Sequence, residues 1–263
     1  MIVRVAALAA ALSAAACALP AGAQERTPPL DKLQSGAAFL SPELRAQQLD
    51  DFANPGMLWV ERGAKLWAAP AGASGKSCAD CHGDARASMK GVAAGHPAIE
   101  RASGRLVNVA DRIIECRIAR QGAPRPAWES EELLALGAFV AHQSRGLPVA
   151  VSIDGPARAH FDAGRTLYTR RAGQMNLACT QCHDANWGKT LFSERISQGH
   201  PNAYPAYRLE WQTLGSLERR IRACLSGVRA EMLPYGAPEY RDLELFLMWR
   251  AAGLAIETPG LRR

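Results

Sequence analysis

No apolar run in this 263-residue chain is long enough to cross a bilayer. The longest, Val5 to Ala18, falls short of the roughly 20 residues a spanning helix needs, so no membrane anchor is expected. Basic residues outnumber acidic ones by 31 to 25, but the arginines are dispersed and aromatics are few, at 6%. The interleaving of cations with stacking rings that marks a nucleic-acid binder is missing. Cysteine is also sparse, with seven in all.

The short apolar run reads instead as an export signal. Arg4 supplies its charged start, and Ala21-Gly22-Ala23 fits a small-residue cleavage site before Gln24. A lipoprotein reading would cut before Cys17, but Ala14, Ala15 and Ala16 precede it without the usual Leu at the first of those positions. The expectation is a signal peptide over 1–23 and a periplasmic mature chain. Losing Arg4 with the leader takes the net charge from +6 to +5. About 240 residues then remain, room for two small domains.

Of the six remaining cysteines, four lie in two pentapeptides, Cys78-Ala79-Asp80-Cys81-His82 and Cys179-Thr180-Gln181-Cys182-His183, 101 residues apart. Two thiols one helical turn apart reach the two vinyl groups of one porphyrin, and the adjacent imidazole reaches its iron. A zinc knuckle or a thioredoxin-like dithiol would explain one Cys-x-x-Cys, but neither requires the His that follows in both copies. Two covalently bound c-type haems are therefore expected, with Cys78, Cys81, Cys179 and Cys182 as attachment points and His82 and His183 as axial ligands.

The two halves of the chain repeat. Gly63 in Glu61-Arg62-Gly63, with Leu66-Trp67, and Gly164 in Asp162-Ala163-Gly164, with Leu167-Tyr168, each lie 15 residues before a haem site. Gly95-His96-Pro97 and Gly199-His200-Pro201 follow, then Asp111 to Cys116 aligned with Arg219 to Cys224. Each half closes on an amphipathic helix, Glu131 to His142 and Glu239 to Ala252. Ser144 to Pro156 has the turn residues of a linker. The fold expected is all-α, two fused class I cytochrome c-like domains from an internal duplication, over 56–146 and 147–263. An extension over 24–55 precedes them, with a helix capped at Ser41-Pro42-Glu43. It either covers a partner surface or simply packs. Trp59, Trp67, Trp187, Trp211 and Trp249 are expected in the core or against haem.

A methionine downstream of the haem site often supplies the sixth ligand of such cytochromes. The first half lacks one in the right place: Met89 is too close to its haem site, and Pro124 occupies the place matching Met232. In the second half Met232-Leu233-Pro234 keeps a methionine ligand open. Cys116 and Cys224 occupy equivalent places, 34 and 41 residues after their haem-site histidines, each on a predicted helix that returns towards the iron. Distal thiolate ligation by both is expected, and a Cys116–Cys224 disulfide is the alternative. His142 and His160 have no evident partner, and His96 and His200 read as turn residues near a haem edge.

At this point nearly all of the mature chain resembles the SoxA family, the dihaem subunit of the SoxAX cytochrome. The likeness rests on both pentapeptides, on Cys116 and Cys224, on the run Glu218 to Arg229, and on Met248-Trp249-Arg250-Ala251-Ala252-Gly253-Leu254 with Glu257-Thr258-Pro259. It implies an L-cysteine S-thiosulfotransferase of periplasmic thiosulfate oxidation. In that family the thiol matching Cys224 is both distal ligand and catalytic group, often a persulfide. Arginines beside it favour the nucleophilic thiolate. Arg220, one turn earlier on the same helix face, would bind the thiosulfate dianion, with Arg250 the second candidate and Arg222 and Arg229 weaker ones. The partners implied are a monohaem subunit, SoxX, the SoxYZ carrier and an acceptor c-type cytochrome. The first haem then reads as a remnant of the duplication or as an electron relay. The competing reading is a dihaem electron carrier without covalent sulfur chemistry; a haem peroxidase would need an open distal site.

Overall fold

The computed structural model describes residues 32–263. The expected signal peptide over 1–23 and residues 24–31 of the extension lie outside them. Among the described residues no helix is long and apolar enough to cross a membrane.

Helix α1 (Pro42–Leu49) starts at the expected cap, where the Ser41 hydroxyl accepts from the Leu44 N–H at 3.3 Å. Helix α2 (Met57–Ala68) buries Val60, Gly63 and Trp67 on one face. The chain continues through α3 (Cys78–His82), α4 (Ala85–Ser88), the strands β1 (Ala98–Ile99) and β2 (Leu106–Val107), α5 (Val109–Ala119) and α6 (Glu131–His142). A Cβ at Gly63 would lie 2.2 Å from the Ala135 carbonyl oxygen, so α2 and α6 cross at a distance that only glycine permits.

The same order recurs: α7 (Ala157–Thr169), α8 (Cys179–His183), strands β3 (Thr190–Leu191), β4 (Glu194–Arg195), β5 (Ala206–Arg208) and β6 (Thr213–Gly215), then α9 (Leu217–Gly227), α10 (Pro238–Arg250) and β7 (Gly260–Arg262). Here Gly164 is the crossing point, with the Asp242 carbonyl oxygen 2.0 Å from where its Cβ would stand. The chain is not wholly helical as expected. β1 pairs with β2 and β3 with β4, and β5 lies between antiparallel β6 and parallel β7, matching Ala206 with Gly215 and Gly260.

Helices α6 and α10 are buried nearly all round, because each lies between its partner helix and the other half of the chain. Leu106 of β2 packs among Phe161, Tyr168, Leu243 and Phe246, while Leu214 of β6 packs with Val60, Leu134 and Ala138. The expected linker is itself part of this seam. The buried Ser144 hydroxyl accepts from the Ala93 N–H at 3.1 Å, and Ala150 N–H donates to Ala94 O at 2.8 Å.

The segment before α2 crosses to the far half. Gln48 Oε1 accepts from the Leu261 N–H at 3.0 Å, and Asn54 Nδ2 donates to Pro259 O at 2.9 Å. Further back, Gln34 N–H donates to Gln198 Oε1 at 2.8 Å. These contacts pack the described part of the extension against the far half of the chain.

Candidate active site

Each Cys-x-x-Cys-His sequence forms one helical turn. In α3 a capping box starts it: Asp80 N–H donates to Ser77 Oγ at 3.0 Å and Ser77 N–H to Asp80 Oδ2 at 2.7 Å. In α8 the Gln181 side chain accepts from the Ala178 N–H at 2.5 Å. Behind each turn stands a buried aromatic from the preceding long helix. Trp67 Nε1 donates to Gly83 O at 3.2 Å, and the Tyr168 hydroxyl donates to Asp184 Oδ1 at 2.7 Å. Both contacts are made to the residue just after the histidine.

His183 is anchored through one ring nitrogen. Its Nδ1 lies 2.7 Å from Ser197 O, and since a carbonyl only accepts, Nδ1 is the donor and Nε2 is the nitrogen that this contact leaves available. Gly199, at φ +75°, closes on the ring, where a Cβ would come within 3.0 Å of His183 Cγ.

Cys224, on α9, lies within electrostatic range of His183. Neighbouring groups crowd its thiol, which is nonetheless exposed at the surface. Burial opposes its ionisation. Interaction with the His183 side chain and the charges of Arg220, His183 and Arg208 outweigh that and bring the thiol down to about 7. Burial instead pushes Cys179 up to about 11 and also raises Cys182.

Arg220 and Cys224 are mutually coupled. Burial disfavours the Arg220 charge, but the Cys224 thiolate and, with it, Tyr204, Glu194 and Glu210 hold its pKa above the ordinary value. Among the described residues the Arg220 side chain donates no hydrogen bond. Its neighbours are occupied: Arg222 donates to Leu233 O and lies 4.4 Å from the Tyr235 ring centroid, and Arg219 lies 4.2 Å from that of Trp211. Arg229 is exposed.

Arg250 stands elsewhere. It is 2% exposed, and its guanidinium donates to Asp184 Oδ1 at 2.5 Å and to Gln198 O at 3.0 Å. Its guanidinium is thus engaged by a carboxylate and a backbone carbonyl. Met232, the alternative ligand, is 43% exposed, whereas Cys224 is the group that interacts with His183.

In the first half, Cys116 on α5 lies within electrostatic range of Cys78. Burial raises the Cys78 thiol; Arg117 opposes that and Cys116 adds to it. Gln121 Nε2 reaches Cys78 Sγ at 3.9 Å. All six described cysteines are free thiols, so the Cys116–Cys224 disulfide is absent.

The histidines without a sequence role find partners. His142 bonds to Thr258 O at 3.1 Å, His160 to Asp242 at 2.7 Å and His96 to Val92 O at 2.7 Å. Burial, with the charges of Arg250 and His183, pushes His200 down to about 3 and keeps it neutral. Sequence reasoning missed Arg208, a buried cation on β5 between Glu194 and Glu210 whose charge lowers the Cys224 thiol. An arginine inside a three-residue strand carries no spacing signal.

Two thiols one turn apart, an imidazole with Nε2 left open and a thiolate across from it suit a covalently attached haem held from both faces. Helix pairs crossing tightly around such turns define a c-type cytochrome. The profile of the SoxA/TsdA cytochrome c domain matches residues 62–149. The L-cysteine S-thiosulfotransferase subunit SoxA of Pseudaminobacter salicylatoxidans is 40% identical over 89% of this chain and 82% of its own length. That of Rhodovulum sulfidophilum is 37% identical over 88% and 81%. The crystal structure of SoxXA from P. pantotrophus matches with a TM-score of 0.85 at 33% identity, covering 88% of this chain and 87% of the other. The chain belongs to the SoxA family: it is an L-cysteine S-thiosulfotransferase subunit with covalently bound haem c.

Proposed function

We propose that this chain is the catalytic, periplasmic dihaem subunit of a thiosulfate-oxidising cytochrome, paired with a monohaem SoxX-type partner. The domains run over 56–146 and 147–263 and descend from one duplicated unit. Cys78 and Cys81, with His82 and Cys116, would hold the first haem, and Cys179 and Cys182, with His183 and Cys224, would hold the second. The observation that carries this reading is the pairing of Cys224 with His183 beside an Arg220 whose side chain donates no hydrogen bond among the described residues.

Arg220 holds the thiosulfate dianion by charge-assisted hydrogen bonds, with its sulfane sulfur turned to the Cys224 thiolate. A sulfur–sulfur bond forms between them, giving a Cys224–S–S–SO3 group and releasing two electrons. Haem held at these sites would supply the redox chemistry, and the electrons would leave singly towards the SoxX-type partner and an acceptor cytochrome. The thiolate of a SoxYZ-type carrier then attacks the sulfane sulfur and takes it with its sulfonate, restoring Cys224 as the leaving thiolate. Arg220 and the buried charge of Arg208 stabilise the anions at each stage. The first haem, away from this thiol, is a remnant of the duplication.

The test is thiosulfate-dependent reduction of a cytochrome acceptor by the purified complex with its carrier, for wild type and Cys224→Ser. Loss of turnover in a variant that keeps both haems supports the transferase. Equal turnover sinks it and leaves an electron carrier.

A further inference from the structure

Arg250 closes a ring around the proximal side of the second haem site. His183 and Asp184 are adjacent in sequence, as are Ser197 and Gln198. His183 Nδ1 donates to Ser197 O at 2.7 Å, while Arg250 donates to Asp184 Oδ1 at 2.5 Å and to Gln198 O at 3.0 Å. The guanidinium carbon lies 4.5 Å from the Tyr168 ring centroid, and the Tyr168 hydroxyl meets the same Asp184 oxygen at 2.7 Å. One direct hydrogen bond and a two-bond bridge through Arg250 thus tie the attachment turn to the segment that orients its histidine.

That segment is anchored from outside as well. The fully buried Gln198 donates through Nε2 to Lys32 O at 2.6 Å, and its Oε1 accepts from Gln34 N–H at 2.8 Å and from His200 Nε2 at 3.2 Å. Gly199 then presses on the imidazole face. Among these contacts Arg250 joins the anchored segment to the attachment turn independently of the histidine's own hydrogen bond.

We propose that Arg250 is a positioning residue for His183: by bridging Asp184 and the Gln198 carbonyl it holds one imidazole plane and one Nδ1 hydrogen bond, and so fixes the electronic character of the second haem. It rests on the reading that His183 is the axial ligand there. The role sequence suggested for Arg250, binding substrate, would require the dianion to displace Asp184 from a fully matched, buried pair. A buried guanidinium whose donors meet a carboxylate and a carbonyl acts on structure, not on solute. Imidazole orientation and the strength of its outer hydrogen bond are the levers by which a protein tunes an axial histidine.

The experiment uses the haem-loaded full chain with its SoxX-type partner, as wild type, Arg250→Gln and Asp184→Asn. The second substitution keeps a neutral partner for Arg250 and carries the test if the first fails to accumulate. Haem content per chain is measured first; one haem per wild-type chain sinks the dihaem reading itself. Electron paramagnetic resonance of the oxidised protein and steady-state kinetics follow. Expected in both variants is a second-haem low-spin signal split into more than one species, with kcat reduced and the thiosulfate KM within about twofold of wild type. A KM raised about tenfold or more with an unchanged spectrum makes Arg250 a substrate residue and overturns the proposal. Unchanged spectra with unchanged kinetics overturn it too.

Discussion

Asn108 Nδ2 donates to Glu244 Oε2 at 2.8 Å, joining residues 136 positions apart. Asn108 caps α5, which carries Cys116, and Glu244 lies on α10. Glu218, in the first turn of the Cys224 helix, lies within 3.7 Å of Arg241, which also holds Asp111 in the first turn of α5. The starts of both distal-cysteine helices therefore meet at one buried cluster, with several carboxyls around a single guanidinium. Burial pushes Glu218 and Glu129 above the ordinary carboxylate range.

Glu244 makes the cluster sensitive to pH. Burial, aided by Glu218 and Asp111 and opposed by Asn108 and Arg241, raises it from 4.5 to about 7. An unfolded chain releases this proton near 4.5, so between 4.5 and about 7 the folded state binds more protons and stability falls as pH rises. Above that window the loss is complete, of the order of 3 kcal/mol. Glu244→Gln should match wild type in denaturant unfolding near pH 5 and exceed it near pH 8. Parallel pH dependences for the two proteins would remove Glu244 from the account.

Arg241 is the cation that opposes the rise at Glu244. It is 7% exposed, meets both oxygens of Asp111 at 2.7 and 2.5 Å, and donates to Ala237 O at 2.8 Å. Arg241→Ala strands Asp111 and Glu218 in the interior and should cost about 3–5 kcal/mol in chemical unfolding. Adding Asp111→Asn should return part of that loss. A single-variant loss below about 1 kcal/mol would mean the carboxyls had simply taken up protons.

What the sequence made legible was local. The spacing of Cys, Cys and His fixes two helical turns, Gly63 and Gly164 mark the crossings, and Ser41-Pro42 marks a cap. The pairing of β5 with β7, 54 residues apart at Ala206 and Gly260, has no periodic signature in three-residue strands. Nor does Leu106 announce that it packs in the core of the other half. Arg250 shows the limit: nothing in the sequence around it points to its partner, Asp184, 66 positions away. Arg220 and Cys224 could be read as neighbours because one turn of helix separates them.

The glycines offer a paired test of helix crossing. Gly164→Ala drives a Cβ to within 2.0 Å of Asp242 O and 3.0 Å of Phe246 Cβ, against backbone that has no room to move. It should destabilise the protein by about 3 kcal/mol or more in thermal or denaturant unfolding. Gly227→Ala, at the end of α9 with nothing within 4 Å, should be neutral or stabilise by about 0.5 kcal/mol. Equal effects of the two would refute close packing as the reason for Gly164.

Arg220 separates substrate binding from haem tuning. Its guanidinium lies beside the Cys224 thiolate and donates no side-chain hydrogen bond among the described residues, whereas Arg250 is committed to Asp184 and Gln198. Losing charge-assisted hydrogen bonds worth about 1.5–3 kcal/mol should raise the thiosulfate KM by about 10- to 100-fold in Arg220→Gln. The low-spin signal of the second haem should stay single, because nothing on the His183 side has changed. Arg220→Lys should recover part of the affinity, since it keeps the charge but not the planar fork. If Arg220→Gln leaves KM alone and splits the haem signal, the two arginines have exchanged roles, and the dianion must be held by other groups near Cys224.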